Sequence, residues 1–289
     1  MGDFFNDFSR LALNTATLGH IVAGKGAGWN PHQVIDTCCE KGIPGITFWI
    51  REFNDLNHAA EVGRYACQNG ITVAGLCRTP YLIGPEAPQG YEELSTEFCK
   101  TIEYASELEA EVVTIVVGGY DPKVGTLDDN LDFIANVISK HADLAFKEGV
   151  KLAIEPLHPV YCGNRSCLTT VRDAITLVEN IDHPSVGLAI DVYHVWWDTA
   201  FDSELLRISD KNLIFGVHLC DWLRETSDIL FDRGMMGDGI AEIRRIRDTI
   251  EKTGYDGFYE IEVFSQGNWW KQHPHTVLDT IKERFLTAC

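Results

Sequence analysis

Three features of the sequence predict a (β/α)8 barrel, the TIM-barrel architecture of the α/β class. Short β-rich segments alternate with helical patterns at a spacing of roughly 25 to 40 residues, and eight such units fill the chain. Several β-rich segments are apolar without alternation, which is typical of parallel strands covered on both faces. No Pro/Ser-rich linker, low-complexity tract or internal repeat divides the chain. We therefore predict a single domain spanning residues 1–289.

The predicted strands follow one another along the whole chain. In order they are LALNT from Leu11, GITFW from Gly45, TVAGLC from Thr72, EVVTIVV from Glu111, VKLAIEP from Val150, VGLAID from Val186, LIFGVHL from Leu213 and GFYEIEV from Gly257. The segment DNLDFIANVISKHADLAFKEG shows the pattern between them. Its residues Leu131, Ile134, Ile138 and Leu144 lie close to helical spacing, and Gly149 resembles a helix C-cap before the next strand.

The composition excludes several classes of function. A total of 24 Lys+Arg against 43 Asp+Glu gives a net charge of -19, which repels nucleic acid and anionic lipid. The N-terminal stretch MGDFFNDFSRLAL lacks a basic and a long apolar region, and no later run approaches the roughly 20 apolar residues of a membrane span. We expect a cytoplasmic protein with no membrane partner. Nine scattered cysteines indicate reduced thiols rather than a disulfide framework.

Polar side chains stand at the ends of the last four predicted strands, where the active sites of such barrels lie. They are Glu155 in KLAIEP, Asp191 in VGLAID, His218 in GVHLCD and Glu262 in YEIEVF. A lone acid at a strand end is often only a satisfied polar group. Four facing one point would repel each other without a divalent cation between them. Their oxygen-rich set favours Mn²⁺ or Mg²⁺, with Zn²⁺, Co²⁺ and iron left open.

The motifs around these residues carry a family resemblance. The strand ends IEP, AIDVYH, VHLCD and EIEVF, with GDG before residue 240 and GYDGF from Gly254, resemble the xylose isomerase-like sugar isomerase and epimerase superfamily. The resemblance covers essentially the whole chain. It implies that the metal ligands are Glu155, Asp191, His218 and Glu262. It also implies that His194 is the neighbouring histidine of the DxxH pattern and that Arg224 contacts substrate, as in ketose 3-epimerases.

The chain departs from the ketose epimerases near strand five. Tyr161 stands where those enzymes carry a substrate-contacting Glu, and His158 lies in the run IEPLHP. Together with the NRS at residues 164–166 and with DVYHVWWD, this run is similar to the metal-binding subunits of C-glycoside deglycosidases. Those enzymes act on glycosides already oxidised to a 3-keto sugar. The similarity implies an oligomer and a small β-rich partner subunit.

Enolisation is the chemistry common to both resemblances. A divalent ion that binds a carbonyl and its neighbouring hydroxyl stabilises the enediolate formed when the intervening C–H loses its proton. His158 is the predicted base, since a neutral imidazole near pH 7 suits proton removal. The carboxylates of Glu155 and Glu262 are the other predicted catalytic groups. The alternative is that His158 is a solvent-exposed loop histidine without a catalytic role.

The fate of the enediolate decides the reaction class. Reprotonation gives an epimer or an isomer, whereas a leaving group on the next carbon is expelled. A 3-keto C-glycoside deprotonated at C2 would release its aglycone from C1. The sequence therefore predicts a metal-dependent carbon–carbon lyase of the C-glycoside deglycosidase type. An isomerase or epimerase of free or phosphorylated ketoses is the alternative.

Aromatic and polar residues after the strands are the predicted substrate contacts. They are His194, Arg224, Trp196, Trp49 and Tyr161. Trp197, Trp222, Trp269 and Trp270 also lie just after predicted strands, and the ends of strands two and three add Arg51, Glu52, Arg78 and Tyr81 as candidate contacts. Core packing is the alternative for any single Trp. The GDG segment lacks the lysine of a phosphate loop and is interpreted as a turn that opens a helix.

Two rivals lie outside this chemistry. DNA-repair endonucleases of the same barrel superfamily need more ligands and a basic face, which a net charge of -19 disfavours. A non-catalytic subunit would have no reason to keep all four ligands. The sugar, the aglycone, the bound metal and the oligomeric state stay open.

Overall fold

The computed structural model describes residues 7–289, and eight parallel strands close into a barrel in strict sequence order. The strands are β1 Leu11–Asn14, β2 Gly45–Trp49, β3 Thr72–Cys77, β4 Val112–Ile115, β5 Lys151–Ile154, β6 Val186–Asp191, β7 Ile214–Leu219 and β8 Tyr259–Ile261. The barrel closes where β1 pairs with β8, with Leu13 opposite Ile261. The predicted fold class and all eight predicted strands are confirmed. The first six residues of the N-terminal stretch lie outside the described residues.

A helix follows each strand on the outside of the barrel. The helices are α1 Pro31–Lys41, α2 Leu56–Gln68, α3 Tyr91–Glu107, α4 Leu127–Lys147, α5 Val171–Ile181, α6 Val192–Val195, α7 Phe201–Arg207, α8 Ile243–Glu251 and α9 Pro274–Thr287. The short α6 is an addition between β6 and α7. Within residues 7–289, no helix has the length and apolar character needed to cross a membrane.

Local capping chemistry sets the helix ends. Helix α1 begins with Pro31 after Asn30, whose side chain accepts a hydrogen bond from the backbone of Gln33, and it ends at Gly42 in the left-handed conformation. Helix α4 begins after Thr126 with a capping box and ends at Lys147, two residues before Gly149, which has a positive φ of 73°. The predicted helical pattern and its glycine stop are therefore confirmed.

The core lies between the strands and the helices, and it buries aliphatic side chains from both. Inside the barrel, Gly75 has no side chain and so leaves room for polar groups of the neighbouring strands. A Cβ on Gly75 of β3 would lie 3.1 Å from Thr47 Oγ1 and 3.4 Å from Glu260 Oε1. Glu260 of β8 therefore points into the barrel interior, two residues before Glu262.

Candidate metal centre and active site

The backbone ladder places the four predicted ligands at one end of the barrel. Asp191 and His218 are direct register partners on β6 and β7. Glu155 follows β5 and its N–H donates to Ile115 O at 3.0 Å, while Glu262 follows β8 and its N–H donates to Leu219 O at 3.1 Å. All four side chains are buried. Parallel strands end at the same edge, so the strand pattern alone brings these residues together.

Glu155, Asp191 and His218 form the tightest cluster. Each offers one ligand atom, and these atoms lie within 4.8 Å of one another. His218 Nδ1 donates to Glu155 Oε1 at 2.8 Å, and Asp191 Oδ1 accepts from the backbone of Tyr193 at 2.8 Å. Burial raises the pKa of Asp191. Burial would lower the pKa of His218, but the surrounding carboxylates raise it well above its usual value.

This donor set fits a divalent cation. Two carboxylates and one imidazole are a common combination for Mn²⁺, Zn²⁺ and related ions. His218 Nε2 is buried and makes no hydrogen bond, although Glu260 Oε2 lies 3.5 Å away. Glu155, Asp191 and His218 are therefore the residues that would hold such an ion, which would neutralise part of their combined charge.

Glu262 reaches the same cluster but is bonded to an arginine. Arg233 lies in the loop of residues 220–242 between β7 and α8, and only 2% of it is exposed. Its Nη1 donates to Asp191 Oδ2 at 2.9 Å and to Glu262 Oε2 at 3.1 Å. Asn14 Nδ2 donates to Glu262 Oε1 at 3.1 Å. Burial raises the pKa of Glu262 to about 7, against the lowering effect of His218 and Arg233. The ligand role of Glu262 stays a prediction, with Arg233 as its partner here.

A cavity opens beside this cluster, and three of the predicted substrate contacts line it. They are Trp49, Tyr161 and His194. Trp49 Nε1 donates to Asn14 Oδ1 at 2.9 Å, which fixes the indole at the cavity wall. Burial and the charge of Arg233 hold the pKa of His194 well below its usual value, so its imidazole is neutral at pH 7. Glu155 and Glu262 belong to the lining as well.

His158, Trp196 and Arg224 are not among the described residues that line this cavity. His158 stacks on Trp222 with ring centroids 4.8 Å apart, and Trp196 lies 5.7 Å from the same indole. Arg224 is exposed. The geometry therefore does not support these three predicted roles. The sequence shows which residues follow a strand, but it does not show in which direction the loop then runs. Trp270 likewise packs away from the cavity, and its Nε1 donates to Ala16 O.

The hydrogen bonding of His158 bears on its predicted role as the base. Its Nδ1 accepts from the backbone N–H of Val160 at 3.2 Å. In a neutral imidazole one nitrogen accepts and the other carries the proton. The basic lone pair of His158 is therefore directed at the backbone. Burial also lowers the pKa of His158.

Comparison with known proteins agrees with this architecture. A family model described as a xylose isomerase-like TIM barrel matches residues 35–283. The chain belongs to the xylose isomerase-like TIM barrel family. A comparison with curated proteins finds no match.

Three solved structures show how far the likeness extends. The protein SMc04130 from Sinorhizobium meliloti 1021 is 35% identical with a TM-score of 0.88, over 98% of this chain and 99% of that chain. The IOLI protein with a binding zinc atom is 20% identical with a TM-score of 0.79, over 96% and 97% of the two chains. The 3-keto-D-glucoside 4-epimerase YcjR from E. coli, in its apo form, is 16% identical with a TM-score of 0.68, over 97% and 99%. The last two share the fold with this chain.

Three arginines complete the lining of the cavity. Arg78, Arg165 and Arg233 all line the cavity, and only Arg78 had been a candidate from the sequence. The loop of residues 220–242 is anchored by Asp221, whose carboxylate accepts the backbone N–H groups of Gly237 and Gly239 at 3.0 and 2.9 Å. The GDG segment thus lies in a turn ahead of α8, as the sequence predicts. The run DRGMMGDG contains Arg233, but nothing local shows that the arginine folds back into the barrel mouth.

Proposed function

We propose that this protein is a divalent-metal-dependent isomerase or epimerase that enolises a keto-sugar. The observation that carries the proposal is the convergence of Glu155, Asp191 and His218 within 4.8 Å at the carboxyl end of the barrel, with Glu262 beside them. Two proteins of similar fold support it, one with a bound zinc atom and one a 3-keto-D-glucoside 4-epimerase. The metal identity, predicted as Mn²⁺, is part of the proposal.

A cation held by this cluster would supply Lewis acidity to a substrate carbonyl and its neighbouring hydroxyl, which favours the enediolate. The protein supplies the proton transfers. Glu155 and Glu262 both line the cavity, from β5 and β8, which are not neighbours in the barrel. A substrate C–H placed between them faces one carboxylate on each side. One can remove the proton and the other can return it, which gives epimerisation; return to the adjacent carbon gives isomerisation.

The other buried groups hold this arrangement. Arg233 donates to Glu262 and Asp191, so it orients both carboxylates and contributes a fixed positive charge beside developing negative charge. His194, kept neutral by burial, lies 3.6 Å from Asp191 Oδ2 and can exchange hydrogen bonds with a sugar hydroxyl. We assign the proton transfers to Glu155 and Glu262 in place of His158, because its accepting lone pair faces the backbone.

The lyase predicted from the sequence is the second candidate reaction, and it shares the enolisation step. Its support in the sequence was the resemblance of IEPLHP, NRS and DVYHVWWD to C-glycoside deglycosidases, together with the tryptophans that follow the strands. Of these, Trp49 lines the cavity, whereas Trp196 and Trp222 pack against each other beside His158. The small β-rich partner subunit belongs to this candidate alone. The isomerase or epimerase therefore has the stronger support.

Solvent exchange tests the proposal directly. The protein is stripped of metal, reloaded separately with Mn²⁺, Mg²⁺, Co²⁺ or Zn²⁺, and incubated with keto-sugars and a 3-keto C-glycoside in D2O. We expect deuterium at the carbon next to the carbonyl, together with an epimer or isomer. Glu155→Gln and Glu262→Gln should each lower exchange by roughly 100-fold or more, the loss typical of a general acid or base.

Two outcomes would change the assignment. Release of an aglycone from the 3-keto C-glycoside, with no epimer or isomer from any keto-sugar, would favour the lyase. Absence of exchange with every metal and every keto-sugar would overturn enolisation itself. Arg245→Gln, at an exposed ion pair on α8, is the control for general effects of substitution.

A further inference from the structure

We propose that Arg78 and Arg165 form an anion subsite in the cavity, so the substrate is a keto-sugar that carries a carboxylate or a phosphate. This inference rests on the proposed function and names the substrate class of the same site. Both arginines line the cavity that Glu155 and Glu262 also line. Neither belongs to the predicted ligand set, and the family resemblance assigns neither a role.

Within residues 7–289, neither Arg78 nor Arg165 forms a salt bridge, in contrast to several surface arginines of this acidic chain. Arg172, Arg207 and Arg245 each pair with a carboxylate at 2.6 to 2.9 Å. The chain has 43 Asp+Glu against 24 Lys+Arg, so carboxylates are abundant. Despite this excess of carboxylates, these two guanidinium groups of the cavity form no salt bridge with a described residue. Burying an unpaired charge is costly, so a ligand that supplies the negative charge is the natural explanation.

The contacts of the two side chains leave donors unused. Arg78 Nη1 donates to Thr79 O at 3.0 Å, and its guanidinium carbon lies 3.8 Å from the centroid of the Tyr81 ring. Arg165 lies over the Tyr161 ring at 5.7 Å, and its Nε is buried with no hydrogen-bond partner. A guanidinium has five N–H donors in a planar fork that matches carboxylate and phosphate oxygens.

The electrostatic environment agrees with an anion site. Burial lowers the pKa of Arg78, and the positive charge of Arg165 lowers it further, so the two cations repel each other across the cavity. Glu86 acts in the opposite direction on Arg78 but does not reach salt-bridge distance. An anion between Arg78 and Arg165 would remove the repulsion and satisfy free donors on both.

Barrel topology places this subsite on one side of the cavity, next to the metal centre at β5. Arg78 follows β3 and Arg165 lies in the β5–α5 loop, so the pair spans β4. The predicted metal ligands come from β5 to β8. Arg233 is a different case, because Asp191 and Glu262 already neutralise it. A bound substrate would point its anionic group towards β3–β5 and its carbonyl towards the other side of the mouth.

Calorimetric binding to metal-free protein tests the arginines alone, since a bound cation would itself attract an anion. The probes are gluconate, glucose 6-phosphate, inorganic phosphate and neutral glucose. We expect gluconate or glucose 6-phosphate to bind at least about 10-fold more tightly than glucose, as expected for a charge-assisted contact. The tighter of the two identifies the anionic group as a carboxylate or a phosphate. Affinity should fall as salt is raised.

Matched variants test whether Arg78 and Arg165 bind the anion. Arg78→Gln and Arg165→Gln should each weaken anion binding about 10-fold or more and leave glucose unchanged, while Arg78→Lys should lie between Gln and wild type because it keeps the charge and loses the fork. Arg245→Gln controls for the loss of one positive charge elsewhere. Circular dichroism confirms that each variant is folded.

The outcomes separate this inference from the proposed function. Equal affinity for glucose and both sugar anions, or anion binding that survives both Gln substitutions, would overturn the subsite. If deuterium exchange on a keto-sugar that carries a carboxylate or a phosphate proceeds at the same rate in wild type and in Arg165→Gln, the subsite fails while the proposed function stands. If sugar anions bind through Arg78 and Arg165 but no keto-sugar exchanges, the proposed function fails instead.

Discussion

Arg233 is the internal counter-charge of the candidate metal centre, and replacing it with methionine should destabilise the protein in a metal-dependent way. The guanidinium makes two charge-assisted hydrogen bonds, at 2.9 Å to Asp191 and at 3.1 Å to Glu262. It also lies 4.3 Å and 4.2 Å from the ring centroids of Tyr193 and Phe264. Methionine keeps the apolar packing of a long side chain and removes only the charge and the donors.

The magnitude follows from the burial of the charges. Arg233→Met leaves Asp191 and Glu262 in the interior without their cation. Removal of one partner from a buried ionic group costs about 3–5 kcal/mol, so the free energy of unfolding of the metal-free protein should fall by that amount. A divalent ion bound by Asp191 restores positive charge, so saturating metal should recover part of the loss. Metal should therefore stabilise the variant more than it stabilises the wild type.

Urea unfolding followed by circular dichroism, with and without metal, measures both effects. The control is Arg245→Met, where the same substitution removes exposed ion pairs to Asp202 and Glu242. Exposed pairs are worth about 0.2–1 kcal/mol, and metal should not alter that loss. Equal losses in Arg233→Met and Arg245→Met, or equal stabilisation of both by metal, would refute the role of Arg233 as counter-charge.

Three further predictions concern the ligands, the base and the loop between β7 and α8. Asp191→Ala should abolish stoichiometric metal binding in elemental analysis, whereas Glu260→Gln should retain the metal. Metal retained by Asp191→Ala and lost from Glu260→Gln would instead make Glu260 the ligand. His158→Gln should keep metal content and lower deuterium exchange by less than about 10-fold; a 100-fold loss would restore His158 as the base. The hydroxyls of Tyr161 and Tyr193 donate to one loop carbonyl at 2.8 and 2.6 Å. Either single Phe variant should cost about 0.5–1.5 kcal/mol. The double Phe variant should lose more free energy of unfolding than the two single variants together, and trypsin should cleave it in that loop. Additive losses with unchanged cleavage would contradict a shared anchoring role of the two hydroxyls.

The barrel and the positions of the candidate ligands could be predicted from local sequence patterns. Each strand is short and apolar on both faces, and each is followed by a helical period, so its type and order are properties of neighbouring residues. Parallel strands then end at one edge. This is why Glu155, Asp191 and His218 could be assigned to one site although 63 residues separate the first from the last.

The glycine and capping patterns that predict helix ends and turns also depend only on neighbouring residues. The stop at Gly149 and the turn at GDG depend on the conformations that a few adjacent residues allow. The sequence by itself therefore determined which segments are strands, where they end, and which polar groups the barrel gathers.

Only the tertiary structure decided which loop side chains reach the cavity. Arg233 reaches the cavity because Asp221 holds the loop of residues 220–242. The Asp221 carboxylate accepts hydrogen bonds from backbone groups up to 20 residues away. His158 turns towards Trp222 instead, although it lies only three residues after Glu155. Arg165 lines the cavity with a buried Nε that has no hydrogen-bond partner, and the NRS motif by itself shows neither feature. The direction of a loop is set by long-range contacts and by burial, and no periodic pattern in the sequence records either.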